Sequence, residues 1–152
     1  MALRSDPDIL PNHPRLVHVV GAAIIDPRGR CLAARRSAQM NTPLKWEFPG
    51  GKVETGETAR GALRRELLEE LEVEVEVGDY LARGEADDSG RLIVLDVYVC
   101  TFVAGRVRLT EHDTFGWFNP EEVETLDWAE ADIPVLSKLV LVQREMGRTD
   151  LD

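Results

Sequence analysis

Between Leu92 and Val103 the chain is apolar at nearly every position, odd and even alike. A β-strand turns successive side chains to opposite faces, so this run predicts a central strand covered on both sides. Such a strand needs a layer of structure above the sheet and another below it.

The remaining patterns can supply those layers. Val17, Val19, Gly21, Ala23, Ile25 and their alternates form a second mostly apolar strand, which ends at the turn Asp26-Pro27-Arg28-Gly29, with Cys31 to Arg35 expected as its hairpin partner. From Glu57 to about Leu71 the period becomes helical, with Ala62, Leu63, Leu67 and Leu71 on one side and Thr55 and Glu57 as cap and first-turn acid. Val73, Val75 and Val77 then alternate with Glu72, Glu74 and Glu76, as in a strand with one wet face. Thr114 to Phe118 reads as a short strand, Pro120 to Val123 as a helical turn, and Ile133 to Arg144 as an amphipathic helix. Hairpins at 26–30 and 88–91 imply antiparallel pairing, so the fold class is α/β, an α/β/α sandwich with a mixed central sheet. The organisation expected is a flexible N-terminal arm over 1–14, a single domain over 15–147 and a tail over 148–152.

A chain of 152 residues suits one domain of ordinary globular composition. Its 28 acidic and 18 basic residues leave a net charge of −10, which disfavours a nucleic acid polymer or an anionic membrane as partner. Cys31 and Cys100 lack metal or redox spacing and read as buried thiols. The absence of a signal-like segment or an apolar span makes the cytoplasm the expected location.

In Arg64-Arg65-Glu66-Leu67-Leu68-Glu69-Glu70, three carboxylates share one helical face. Like charges so placed repel by a few tenths of a kcal/mol per pair, roughly. A hard divalent cation, which seeks oxygen ligands, would reverse that sign. On an isolated helix the same pattern is more often a solvated face, here partly neutralised by Arg65 facing Glu69.

The surroundings favour the cation. Gly51, five residues, Glu57, seven residues, Arg65-Glu66-Leu67, Glu69-Glu70 and Val73 closely resemble the signature box of the Nudix hydrolase family. Trp46-Glu47-Phe48-Pro49-Gly50-Gly51-Lys52-Val53-Glu54 looks like its MutT branch, and the similarity spans about residues 17 to 145. The resemblance implies a Nudix-type fold and Mg²⁺-dependent hydrolysis of a nucleoside triphosphate to the monophosphate and pyrophosphate, with Mn²⁺ able to substitute. It assigns Glu66, Glu69, Glu70 and the Gly50 carbonyl as metal ligands, with Glu111, six residues before Trp117, as a further one. Arg65 would orient the glutamates, Glu57 would support them, and Glu66, Glu69 or Glu111 would be the general base, Glu69 being favoured. Glu72 departs from the box, which usually has glycine there. A left-handed backbone at Glu72 would cost about 1 kcal/mol or more.

Residues outside the carboxylates should choose the nucleotide. Arg36, Phe48, Gly51, Lys52, Arg91 and Asp132 are the candidates, with Trp46 and Trp128 as stacking walls or core rings. Asp132 falls where MutT has the asparagine that reads 8-oxoguanine, and Ala131-Asp132-Ile133-Pro134 also resembles cytidine-preferring relatives. An ionised aspartate only accepts, which suits cytosine N4, whereas a protonated one could also face O6 of 8-oxoguanine. Asp132 could equally be the N-cap of the last helix, ahead of Pro134. The family also contains hydrolases of ADP-ribose, NADH and dinucleoside polyphosphates, and non-catalytic nucleotide sensors. A monomer or a homodimer fits a small enzyme of this kind.

Overall fold

The computed structural model describes residues 7–40 and 43–151, the last four by their backbone. The first six residues of the expected arm, Asn41 of the expected polar loop and the final residue of the expected tail lie outside the described residues. Strands β1 (Leu16–Ile24), β4 (Gly50–Lys52), β5 (Val73–Asp88) and β6 (Arg91–Gly105) form one sheet in the order β4-β1-β6-β5. Strands β2 (Cys31–Arg36), β3 (Trp46–Glu47) and β7 (His112–Phe118) form a second, in the order β3-β2-β7. The larger sheet is mixed, because β1 runs parallel to β6 and antiparallel to β4.

Strand β6 is central as expected, and Val94 to Tyr98 are buried on both faces. Its one acid, Asp96, is 1% exposed and accepts hydrogen bonds from Tyr80 Oη at 3.0 Å and Arg83 Nε at 2.9 Å, and it lies 2.8 Å from His18 Nε2. These partners hold its carboxyl below the usual range even though burial pushes the other way. On one face helix α1 (Ala59–Leu71) buries Ala62, Leu63, Leu67 and Leu71 completely against Val20, Ala22, Ile24 and Tyr98. Each leucine so buried contributes about 1.5–3 kcal/mol. On the other face Val135, Leu139 and Val140 cover Ala23, Leu81, Leu95 and Val97. The three layers match the expected sandwich.

The alternation at Val73, Val75 and Val77 is borne out, with the intervening glutamates exposed, and β5 pairs across the Asp88–Arg91 turn with β6. The other expected hairpin is not a ladder. Only Ile25 and Cys31 bridge β1 to β2, because both edges of β1 are already taken by β4 and β6, and β2 turns away into the smaller sheet. Helix α2 (Pro120–Val123) is capped by Asn119, whose side chain and that of Glu122 each take the other's backbone N–H. The C-terminal helical segment begins as a 3-10 turn, Glu130–Val135, and α3 follows as Leu136–Leu151, so helix continues into the segment expected as a tail. Among the described residues, no helix is long and apolar enough to cross a membrane.

Candidate active site

The chain changes sheets between β3 and β4, and the candidate site is built around that crossing. Helix α1 starts later than its sequence suggests: Thr58, not Thr55, is the N-cap and accepts from Gly61 N–H at 3.0 Å. No acid lies in the first turn. Glu57, just outside, turns its carboxylate to the Glu54 N–H and to Arg65.

Arg65 is the hub. Its Nε and Nη2 donate to the two oxygens of Glu57 at 2.7 and 2.8 Å, a bidentate pair of the strong kind. Nη1 donates to Glu66 at 2.9 Å and Glu69 at 3.2 Å, and Nη2 also reaches the Lys52 carbonyl at 3.1 Å. The Arg65 bonds and the Glu54 N–H pull the Glu57 carboxyl down to about 2. Gly51 faces this cluster so closely that a Cβ there would lie 2.3 Å from the Glu66 carboxyl carbon. A Cβ on Gly50 would strike the Val20 carbonyl at 1.9 Å. Backbone contact therefore requires glycine at 50, while glycine at 51 leaves the space that the Glu66 carboxylate occupies.

Behind Glu66, Glu70 is drawn inward. Burial, reinforced by Glu47, Glu66 and Glu111 against the opposing effect of His112, raises its carboxyl to about 8. Its Oε2 is buried without a partner in the protein. Burial also raises Glu66, with Arg65 opposing and Glu69 and Glu111 adding. Exposed Glu111, some forty residues on in sequence, adds to the upward push on both helix carboxylates.

Two residues enter that the sequence left without a role. Glu47 accepts from Arg36 Nη1 at 2.8 Å, and its other oxygen lies 2.7 Å from Nε2 of His112, whose ring is fully buried. Glu47 was visible as part of the Trp46–Glu54 segment. His112 was marked only by its place after Glu111.

The donor set fits a hard divalent cation: hard carboxylate oxygens, a buried oxygen lacking a partner, and mutual repulsion that a cation would relieve. Among the described residues, no three Asp, Glu, His or Cys groups are yet gathered around one point. Arg65 accounts for part of this, since it holds Glu66 and Glu69 to itself.

The nucleotide candidates divide. Arg36 is at the site through Glu47, and Lys52 is exposed beside Gly51 at its edge. Phe48, by contrast, is 4% exposed and packs at a tilt against Trp128 with ring centroids 5.0 Å apart, so it is a core ring and not an open wall. Trp128 is likewise core, donating Nε1–H to the Val123 carbonyl at 2.8 Å, while half-buried Trp46 meets Phe118 edge-on. Arg91 pairs with Asp88 at the hairpin end. Its neighbour Leu92 pairs with Leu16, five residues along β1 from the Gly21 that pairs with Gly50, about 17 Å at the usual rise per residue. That position does not bring Arg91 to the carboxylates.

Asp132 is not the N-cap of the last helix. It lies inside the 3-10 turn, whose cap Ala129 makes no side-chain bond, and its Oδ2 accepts the Phe48 N–H at 2.9 Å. The reason is the sheet crossing: Phe48 stands between β3 and β4, its N–H has no ladder partner, and a buried donor must be satisfied. Burial, aided by Glu47, pushes the Asp132 carboxyl well above its usual range against the pull of the Phe48 N–H. Glu72 is left-handed, at φ 57° and ψ 36°, and closes α1 by donating its N–H to Leu68 at 3.1 Å, so the backbone turns where the box glycine would.

A NUDIX domain model matches residues 15–139 of the chain. A CTP pyrophosphohydrolase of Escherichia coli (strain K12) is 41% identical over 129 residues, covering 85% of this chain and 95% of that protein. Putative 8-oxo-dGTP diphosphatase 2 of Mycobacterium tuberculosis (strain ATCC 25618 / H37Rv) is 38% identical over 118 residues, 75% of this chain and 81% of that one. Among solved structures, the E. coli ORF135 protein superposes with a TM-score of 0.76 at 39% identity, covering 86% of this chain and 93% of that one. A MutT NUDIX hydrolase from Burkholderia pseudomallei superposes at 0.73 with 29% identity, covering 81% and 97%.

Proposed function

The chain belongs to the Nudix family as a MutT-like hydrolase of phosphoanhydride bonds, and we propose that it cleaves a (deoxy)nucleoside triphosphate to the monophosphate and pyrophosphate using Mg²⁺. The observation that carries the proposal is the interlock of β4 with α1. Gly51 leaves room for the Glu66 carboxylate, Arg65 aligns it with Glu57 and Glu69, and Glu70 keeps one buried oxygen unpaired.

Nudix hydrolases generally need a divalent metal, and such an ion lowers the pKa of water and neutralises phosphate charge. Here Glu66, Glu69, Glu70, Glu111 and the Gly50 carbonyl would hold it, and Mn²⁺ could substitute for Mg²⁺. Glu69, whose side chain is 61% exposed, is the proposed general base. A water oxygen bonds to phosphorus as the bridging P–O bond breaks; the water proton passes to Glu69, and the electron pair leaves with pyrophosphate. Arg65 keeps Glu57, Glu66 and Glu69 directed, and Lys52 stands ready for the phosphates. This cation chemistry reconciles a net charge of −10 with a polyanionic substrate.

For the base, a cytidine-type triphosphate, CTP or dCTP, is the leading choice. An acidic acceptor at Asp132 suits an exocyclic amino group, and the E. coli relative is named for CTP. The burial of Asp132 favours a second choice, 8-oxo-dGTP, because a carboxyl that keeps its proton can donate as well as accept. A pyrophosphate-release screen over common and oxidised (d)NTPs, ADP-ribose and Ap4A tests the proposal, with Asp132→Asn run beside the parent. Turnover of ADP-ribose or Ap4A without triphosphate turnover would overturn it, and silence on every substrate would favour a nucleotide sensor. A preference between dCTP and 8-oxo-dGTP that Asp132→Asn leaves unchanged would restrict Asp132 to holding the Phe48 N–H.

A further inference from the structure

Two buried polar atoms beside the carboxylate centre have no partner in the protein, Oε2 of Glu70 on α1 and Nδ1 of His112 at the start of β7. The His112 ring is fully buried, with Nε2 fixed 2.7 Å from Glu47, whose other oxygen is held by Arg36. The hydroxyl of Thr110, two residues before His112, donates to the Glu70 carbonyl at 3.2 Å, which brings the approach to β7 against this turn of α1. A buried polar atom without a partner is costly, and one on each of two neighbouring elements calls for an explanation.

We propose that His112 is the positioning residue of this centre: with Nε2 anchored on Glu47, its Nδ1–H orients the inner oxygen of Glu70, directly or through one bridging water. A carboxylate that ligates a cation through one oxygen is aimed by whatever holds the other. The backbone of His112 also pairs with Arg36 in the β2–β7 ladder, at the first position of β7, right after Glu111. Glu70 would then face the cation with one oxygen and His112 with the other.

This inference rests on the proposed role of Glu70 as a ligand, and the test separates the two. Mn²⁺ affinity is measured by calorimetry without nucleotide on the full chain, together with kcat and KM, for Glu70→Gln and for His112→Ala, His112→Asn and His112→Gln. Asparagine places a donor near Nδ1, and glutamine places one near Nε2. The expected result is a loss of Mn²⁺ affinity of about 10- to 100-fold in His112→Ala and His112→Gln. KM should be little changed, and His112→Asn should recover most of the affinity. Should His112→Ala fail to fold, the Asn and Gln variants alone decide. Recovery by His112→Gln and not by His112→Asn, or wild-type affinity in a folded His112→Ala, would overturn the inference while leaving Glu70 a ligand. Wild-type affinity in Glu70→Gln would overturn the ligand role and the inference with it.

Discussion

A side chain on Gly51 and the carboxylate of Glu66 cannot occupy the same space, since a Cβ at Gly51 would lie 2.3 to 2.7 Å from all three carboxyl atoms. Gly51→Ala should therefore leave the fold intact and push Glu66 off its position. A displacement of about 1 Å at a reacting centre can cost on the order of 10²-fold in rate, and that is the expected fall in kcat. Circular dichroism should be unchanged, and pyrophosphate release should show the loss. Near-wild-type turnover would mean that Glu66 can move away without harm.

Glu57 and Arg65 form the bond that aligns the rest of the helix face. Because the folded Glu57 pKa is lowered from 4.5 to about 2, its stabilisation is present above 4.5 and is lost as pH falls towards 2. Glu57→Gln should remove this part of the acid-side slope in Tm. At neutral pH it should lower kcat by about 10-fold or more, the usual effect of removing a supporting carboxylate. An unchanged acid slope would show that the pair adds nothing to stability.

The layers, the acidic face and the glycine pair were legible because each is local. Periodicity exposed the buried leucines of α1, and the spacing from Gly51 to Glu70 marked the site. What sequence could not show depends on which edges are free. Cys31 to Arg35 looked like the partner of β1 until both edges of β1 proved occupied, and Asp132 looked like a helix cap because the stranded Phe48 N–H belongs to a segment far away in sequence. His112 was silent for the same reason, since its partner Glu47 comes from another element. The N-cap slipped from Thr55 to Thr58 because the two threonines lie within one turn, and only the contact with Gly61 N–H decides between them.

Glu70 should make the metal-free protein sensitive to alkali. Its carboxyl is raised from 4.5 to about 8, so the stability tied to its proton is complete below 4.5 and is lost as pH rises through 8. Tm of the metal-free chain should fall between pH 5 and 8, and Glu70→Gln should flatten that fall. Divalent binding at pH 7 should release a proton, seen as a dependence of calorimetric heat on the ionisation enthalpy of the buffer. The same slope in Glu70→Gln would assign the effect to another group.

Glu72 occupies a left-handed position where a side chain costs about 1 kcal/mol. Glu72→Gly would remove that strain, and glycine's larger unfolded-state entropy would return part of the gain. The exposed contact between Glu72 and Arg108, at 3.5 Å, contributes little. A net gain of about 0.5 kcal/mol should raise Tm by about 1–2 °C in a chain of this size, as scanning calorimetry can resolve. Turnover should be unchanged, because Glu66, Glu69 and Glu70 all precede the turn and the backbone already adopts the glycine conformation. A fall in Tm would show instead that the Glu72 side chain, through Arg108, holds the end of α1 more firmly than the strained backbone loosens it.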